Sequence, residues 1–220
     1  MDQEPEIPWP RVAAFVRQHT HDVRNHLNSL DLEASLLCEL IPSGEARATV
    51  DRIRRQVRSF ASEMRLLAGK FSDPPSGRAD VPASVLFLIW KDQVTGLEPL
   101  PEVAWSQSVG EEKVTVDPDA MARTFRELLA NAIAFSPGQP LRAEARTTDG
   151  TVTFTLAEPK AEAIDPTQWG RAPLTSTRRG GYGLGLWNVD RCVRASSGEI
   201  RRRYDHATKE LVTTLAFPVH

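Results

Sequence analysis

Two long runs of apolar residues with coiled-coil spacing fill the first 71 residues and constrain the fold most strongly. The first run spans residues 12–41, with seam-compatible residues at Val12, Val16, His19, Val23, Leu27, Leu30, Ala34, Leu37 and Ile41. After a break at residues 42–44, the second run has Val50, Ile53, Val57, Phe60, Met64, Leu67 and Phe71. Spacings of three and four residues are close to a heptad repeat, which is typical of helices packed along a narrow seam. The pattern predicts an antiparallel helical hairpin over residues 1–71.

A hairpin of two helices buries too little apolar surface to be stable alone, so its seam needs a partner. That partner is either the rest of the chain or a second copy of the same hairpin. Both stripes are narrow heptad seams rather than the broad apolar faces of helices that pack on a globular core. They favour a homodimer in which two hairpins form a four-helix bundle, and the intramolecular arrangement remains the alternative.

The histidine at position 21 is expected to face solvent. It stands two residues from seam positions 19 and 23, and at about 100° per residue its side chain points away from both. An exposed imidazole beside the carboxylate of Asp22 is a usable nucleophile, because the carboxylate can orient the ring and accept its proton. From the residues alone, a solvated histidine on a charged helix face is the commoner case. His19 and His26 are expected to pack at or near the seam.

Composition excludes several classes of protein. A net charge of −2 provides no basic field for nucleic acid or an anionic membrane. No apolar run approaches about 18–20 residues, so no membrane span is expected. Cys38 and Cys192 lie far apart and form neither a disulfide framework nor a CxxC metal site. Together with an N-terminus unlike a signal peptide, these features predict a cytoplasmic protein.

A linker rich in Pro and Ser is predicted at residues 72–79, and shorter mixed elements follow it. The patterns predict helices over residues 81–93, 118–135 and 184–197, and strands over 102–109 and 113–116. Hairpins are predicted over residues 141–158, around Asp149-Gly150, and over 199–219. Residues 80–220 are therefore expected to form an α/β sandwich, a mostly antiparallel sheet with about three helices on one face.

Two side chains of the 118–135 helix form a candidate metal site. Glu127 and Asn131 are four residues apart and so share one face of the helix. A carboxylate and an amide oxygen suit Mg²⁺, and Glu127 could also act as a base. A surface Glu–Asn pair is the alternative, but the apolar neighbours Leu128 and Ile133 place Asn131 near the core, where it needs a polar partner.

A glycine-rich run before the last predicted helix is a candidate phosphate site, with glycines at Gly180, Gly181, Gly183 and Gly185. Glycine permits close backbone approach, and a helix N-terminus offers N–H groups to phosphate. The preceding residues 169–179, which include Thr175, could fold over a polyphosphate as a lid. By contrast, the three arginines at 201–203 alternate along a predicted strand, which favours a solvated strand face over a nucleic-acid patch.

Together these segments resemble the transmitter core of a two-component sensor histidine kinase. Residues 21–27 resemble its phosphoacceptor motif, and residues 127–132 resemble the Asn-containing motif of the gyrase and histidine-kinase ATPases. Residues 173–186 resemble the lid and second glycine motif, and the match extends over residues 11–218 in the family's order. The resemblance implies an α+β chain: a hairpin in a dimeric four-helix bundle, then an α/β sandwich ATPase-like domain.

The resemblance also implies roles for single residues. His21 would accept the γ-phosphoryl group of ATP, with Asp22 as its base, and pass it to an aspartate on a response-regulator receiver domain. Glu127 would stand at a catalytic position and hold Mg²⁺ together with Asn131. The nucleotide would be bound by Asn131, Glu158, Thr175, Gly181, Gly183, Gly185 and Leu186. A separate sensor protein would supply the signal, because the chain has no room for an input domain.

The adenine-reading motif of the family, Asp-x-Gly-x-Gly, is altered in residues 156–162. Both glycines are absent, and Glu158 stands for the aspartate, which would push the carboxylate about 1.5 Å further into the pocket. Two functions therefore stay open, and the sequence favours the first, because an unused phosphate loop has little physical reason to keep four glycines. The retained glycines near position 183 favour an active histidine kinase, while the altered motif favours a phosphorelay module that transfers phosphoryl through His21 without binding ATP. A nucleotide-binding scaffold without phosphotransfer is a more distant third.

Overall fold

The computed structural model describes residues 8–41, 43–71, 77–136, 138–174 and 183–219. The chain divides into two compact units, Met1–Asp73 and Pro74–His220. Among the described residues, no helix combines the length and the apolar character that a membrane crossing requires.

The first unit is a hairpin of two helices, α1 over Trp9–Leu40 and α2 over Glu45–Lys70. The chain reverses at Gly44, whose φ of 97° lies in the left-handed region that glycine adopts without strain. The Trp9 ring stacks on Phe71 with 5.3 Å between centroids. The start of α1 therefore meets the end of α2, and the predicted antiparallel hairpin is confirmed.

The contact between the two helices uses small side chains. The buried residues of α1 include a seven-residue repeat at Ala13, Thr20, Leu27 and Ala34. Only Leu27 and Ala34 belong to the predicted seam. Small residues at the other two positions let the helices approach closely, so the buried seam is rotated relative to the predicted one.

Several predicted seam residues lie outside the helix contact. Leu30 and Leu37 are about half exposed, and His19 and His26 are exposed as well. The Phe15 ring stacks on His19 at the surface, with 5.9 Å between centroids. Within a single chain α2 covers a neighbouring face of α1, so the packing of these two histidines at or near the seam stays a prediction for the paired hairpins.

The described residues of the second unit form a five-stranded sheet, a separate pair of strands and three helices. Its elements are β1 (Ala79–Pro82), α3 (Ala83–Asp92), β2 (Val103–Ser108), β3 (Lys113–Val116), α4 (Pro118–Phe135), β4 (Leu141–Thr148), β5 (Thr151–Pro159), α5 (Gly185–Ala195), β6 (Glu199–Asp205) and β7 (Glu210–Pro218). Five strands form one sheet in the order β2-β4-β5-β7-β6, and β1 pairs with β3 separately. In the five-stranded sheet, β2 and β4 run parallel and the other pairs antiparallel. The predicted sandwich is confirmed.

The start of this unit differs from the sequence pattern. A helix is predicted from residue 81, whereas α3 begins at Ala83, because residues 79–82 form β1 and pair with β3, Val81 opposite Val114. So short a strand has too few residues for a recognisable alternation. The turn predicted at Asp149-Gly150 is confirmed, since both residues have the positive φ of a type I′ turn, 49° and 73°.

Aromatic rings join the helices to the sheet. Trp90 of α3 stacks on Phe125 of α4 with 5.1 Å between ring centroids, and the ring centroids of Phe125 and Phe154 of β5 are 5.2 Å apart. All three side chains are almost fully buried. This packing fixes α4, which carries Glu127 and Asn131, against the sheet.

Gly198, just before β6, provides a test of the packing in this core. A Cβ at this position would lie 2.6 Å from ring atoms of Phe217 and 2.9 Å from the carbonyl oxygen of Ala216. Because Phe217 is fully buried, we expect Gly198→Ala to lower the free energy of unfolding by about 1–3 kcal/mol.

Chemical denaturation of the second unit measures this effect. Gly69→Ala is a comparison substitution in α2 of the first unit, where a Cβ meets nothing within 4 Å, and it should leave the unfolding of the second unit unchanged. An unfolding midpoint unchanged by Gly198→Ala would contradict the prediction.

Candidate functional site

His21 lies on the exposed side of α1, as predicted, with its side chain 54% exposed. Its Nδ1 atom is 3.3 Å from Oδ1 of Asp22 and 3.4 Å from Nδ2 of Asn25. Asn25 reaches the ring because residues four apart in a helix are neighbours on its surface. Within the described part of the chain, the other ring nitrogen, Nε2, has no hydrogen-bond partner.

Asp22 is held in its ionised form. Nε2 of Gln18 donates to Oδ1 of Asp22 at 2.9 Å. This bond, followed by the contact with His21, lowers the pKa of Asp22 below its ordinary value. An ionised carboxylate accepts the proton of Nδ1, and the tautomer assigned from that contact leaves the ring's lone pair on Nε2. In this tautomer the Asn25 amide nitrogen, itself a donor, adjoins Nδ1 without a hydrogen bond to it. The arrangement can therefore present Nε2 as a nucleophile.

A groove of about 260 Å³ beside His21 is lined by residues of both helices. Arg17 and Arg24 contribute its positive charge, and Ala68 and Gly69 of α2 line it as well. Nη1 of Arg17 also donates to the carbonyl oxygen of Phe71 at 3.1 Å. Guanidinium groups suit the oxygens of a phosphoryl group, so the groove has the charge to receive one next to the ring.

A second cleft lies within the second unit, between α4, the end of β5 and the start of α5. It is lined by three of the residues predicted to bind nucleotide, Asn131, Glu158 and Leu186. Gly183 and Gly185 stand just before Leu186 in the chain, and α5 begins at Gly185. Thr175 and Gly181, which were also predicted to bind nucleotide, lie outside the described residues.

Glu127 and Asn131 bond to each other. Nδ2 of Asn131 donates to Oε1 of Glu127 at 3.3 Å, and both residues are half-buried. The Glu127 carboxylate packs against Gly185, where any Cβ would overlap it. Among the described residues, no three His, Cys, Asp or Glu side chains cluster in a way that could hold a metal ion. The pair could offer two oxygens to Mg²⁺, and the remaining ligands would have to come from elsewhere.

Glu158 is buried at the end of β5 and bonds to Lys160. Nζ of Lys160 donates to Oε2 of Glu158 at 2.6 Å and to Oγ of Ser136 at 2.9 Å. Burial raises the pKa of Glu158 above its ordinary value, although the Lys160 bond acts in the opposite direction. The carboxylate predicted to read adenine therefore already has a cation as its hydrogen-bond donor.

A second buried ion pair adjoins the cleft, and the sequence pattern assigned it no role. Nη2 of Arg202 is 2.6 Å from Oδ1 of Asp190, and the two side chains are 6% and 9% exposed. Nη1 of Arg202 donates to the carbonyl oxygen of Trp169 at 3.0 Å, which ties that loop to β6. Arg201 and Arg203 are exposed, as the predicted alternation requires. The sequence could have indicated the burial of Arg202, because the alternation along a strand places the middle arginine on the covered face.

As the described residues place it, the cleft is too small for a nucleotide base. Its free volume is about 30 Å³, enough for about two water molecules, whereas small-molecule sites measure about 300–1,000 Å³. The side chains of Lys160, Trp169 and Arg202 all line this space. The residues present therefore do not fit the ATP that the resemblance implies.

Solved structures share this fold, although neither a family profile nor a curated protein matches the sequence. Full-length ShkA, in complex with AMPPNP, is 20% identical with a TM-score of 0.67, over 94% of this chain and 46% of that one. This chain thus spans less than half the length of ShkA. The mycobacterial sensor histidine kinase MprB is 18% identical with a TM-score of 0.55, over 65% of this chain and 98% of that one.

A third structure, the Acinetobacter baumannii histidine kinase AdeS, is 12% identical with a TM-score of 0.51. That match covers 91% of this chain and 98% of AdeS. The chain therefore has the fold of a histidine kinase core.

Proposed function

We propose that the protein is a two-component phosphotransfer protein in which His21 carries a phosphoryl group to an aspartate of a response-regulator receiver domain. The exposed imidazole carries the proposal: its Nδ1 contacts Asp22 and Asn25, and its Nε2 has no partner among the described residues. The fold shared with the histidine kinases MprB and AdeS supports it.

The chemistry assigned to His21 forms one bond to phosphorus, breaks another, and moves one proton. The Nε2 lone pair attacks the phosphorus of an aspartyl phosphate on a donor protein. The N–P bond forms, the P–O bond to the aspartyl oxygen breaks, and that oxygen leaves as a carboxylate. The Nδ1 proton shifts to Asp22 as the ring donates its electrons. Transfer to the receiver reverses these steps, and Arg17 and Arg24 would balance the charge of the phosphoryl oxygens.

We further propose that residues 1–71 form a homodimerisation and phosphotransfer domain, and that residues 80–220 form an ATP-binding-like domain after a linker. Large apolar side chains of the hairpin remain 44–77% exposed, among them Leu36, Leu40, Ile53 and Phe60. Burying such area gains about 25 cal/mol per Å². A second hairpin that covers these side chains would complete a four-helix bundle. A cytoplasmic location remains part of the proposal.

The donor could also be ATP, which would make the protein a histidine kinase. Two observations favour this second candidate: the fold shared with ShkA, whose structure contains AMPPNP, and the Glu127–Asn131 pair next to Gly185. In that case Glu127 and Asn131 would hold Mg²⁺. We rank it below transfer from a phosphorylated protein, because the described cleft of the second unit has a free volume of only about 30 Å³.

Label transfer tests the proposal and separates the two donors. The full chain is mixed with a receiver domain phosphorylated from ³²P-acetyl phosphate or, in a parallel reaction, with Mg²⁺ and γ-³²P-ATP. We expect acid-labile label from the receiver domain, located in the tryptic peptide of residues 18–24. Because that peptide also contains His19, fragment-ion mass spectrometry has to assign the phosphate to His21. Label from ATP would establish the kinase, and no label from either donor would contradict the proposal.

Filling the groove beside His21 should block a partner without changing the imidazole. Gly69 lines the groove, and a Cβ at this position meets open space. We expect Gly69→Leu to slow phosphoryl transfer from the receiver domain by about tenfold or more, a barrier increase of about 1.4 kcal/mol. Gly69→Ala should transfer at the parent rate. Equal rates for the two variants would show that the partner does not use this groove.

A further inference from the structure

Lys160 fills the part of the second unit where the altered motif would read a base. It stands two residues after Glu158, at the place of the first glycine of the Asp-x-Gly-x-Gly pattern. The side chains of Lys160 and Glu158 are only 9% and 10% exposed, and their charged groups are 2.6 Å apart. A glycine at position 160 would leave that space empty.

The lysine is fixed by several contacts as well as by the ion pair. Its Nζ donates to Oγ of Ser136, which in turn donates to the carbonyl oxygen of Pro159 at 2.8 Å. The same Nζ lies 5.9 Å from the centroid of the Phe135 ring. Its backbone N–H donates to the carbonyl oxygen of Lys209 at 2.9 Å. Two of the three N–H donors of the ammonium group therefore have described acceptors, one of them the Glu158 carboxylate that a buried charge needs.

We propose that Lys160 is the resident occupant of the base cleft and excludes ATP from it. Its ammonium donates to Glu158 in the way that an adenine amino group would donate to a carboxylate there, and its side chain lines the same cleft. To bind, a nucleotide would have to displace a buried, hydrogen-bonded ion pair. The inference extends the proposed function to the second unit and uses none of the roles given to His21.

Calorimetric titration of the full chain with MgATP tests this inference. The parent protein should show no binding up to about 1 mM nucleotide, the upper end of the range of enzyme KM values. Lys160→Gly should bind MgATP with a dissociation constant of about 0.1 mM or lower, at least about tenfold tighter than that limit. Lys209→Gly is the matched control. It removes an exposed lysine at a φ of 55°, which glycine adopts easily, and should remain without binding.

Each result of the titration decides the proposal. Binding to Lys160→Gly alone supports it. Binding of MgATP to the parent protein below about 1 mM overturns it. If neither the parent nor a folded Lys160→Gly protein binds, something other than Lys160 excludes the nucleotide, and the proposal also fails. Circular dichroism and thermal unfolding establish that the variant is folded.

Lysine acylation tests the same point without a substitution. The unmodified protein is treated with a trace of acetic anhydride, and the extent of acetylation is measured by mass spectrometry for Lys160, Lys113 and Lys209. The last two are exposed. We expect Lys160 to react at least about tenfold more slowly, because its amine is buried in an ion pair. Reaction at the rate of Lys113 would show that the side chain does not occupy the cleft. Neither experiment involves His21, so failure here is distinct from failure of phosphotransfer.

Discussion

Replacing His21 with alanine is expected to abolish acid-labile labelling of the protein, a loss of more than about 1,000-fold in the transfer rate. The reason is chemical, because the phosphoryl group has to bond to a nitrogen lone pair. Nε2 of His21 is the ring nitrogen without a described partner, and Nδ1 of the same ring contacts the ionised carboxylate of Asp22. The measurement is label transfer from the phosphorylated receiver domain, quantified per mole of protein.

The other histidines of α1 are the matched controls. His19 and His26 are exposed on the same helix, and His19 is even in the same tryptic peptide. Alanine at either position should leave the label near the parent level, because no described hydrogen bond joins their rings to Asp22. If His21→Ala keeps its label, or if His19→Ala alone loses it, His21 is not the acceptor.

Breaking the Asp190–Arg202 pair should produce the largest stability loss of any single substitution considered. Asp190→Ala leaves the guanidinium group buried, with the carbonyl oxygen of Trp169 as its remaining described partner. We expect the free energy of unfolding of the second unit to fall by about 3–5 kcal/mol, the usual cost of an unpaired buried charge. Urea denaturation monitored by tryptophan fluorescence measures the change.

Two controls separate the buried charge from the loss of a side chain. The double variant Asp190→Leu with Arg202→Met removes both charges and keeps apolar volume, so it should be more stable than Asp190→Ala. Arg201→Ala, on the exposed face of β6, should change stability by no more than about 0.5 kcal/mol. A loss below about 1 kcal/mol in Asp190→Ala would mean that water reaches Arg202.

Features of the second unit that depend on neighbours along the chain were predictable. Asp117 caps α4 through its Oδ1, which accepts from the backbone N–H of Ala120 at 2.8 Å, as the Asp-Pro sequence indicated. The tight turn at residues 149–150 and the alternation along β6 were predictable for the same reason, because each depends on residues that are neighbours in the sequence.

In the hairpin, sequence periodicity predicted some features and not others. Periodicity predicted two helices and the exposure of His21, since a two-residue step turns a side chain away from the seam. It did not predict which stripe the second helix covers. Ala13 and Thr20 are buried although neither belongs to the apolar stripe, because helix contact also depends on how closely the two backbones approach.

Residues that are close together in the sequence therefore determined the helices and strands of this protein and the direction of the exposed His21 side chain. Hydrogen bonding and side-chain rotation along one helix or strand repeat at fixed intervals, so a few neighbouring residues suffice to predict them. The contents of the cleft depended on the folded chain. Ser136 from the end of α4 meets Lys160 after β5, and Asp190 of α5 meets Arg202 of β6. Contacts between separate elements produce no repeating pattern in the sequence, because they arise from strand order and helix packing.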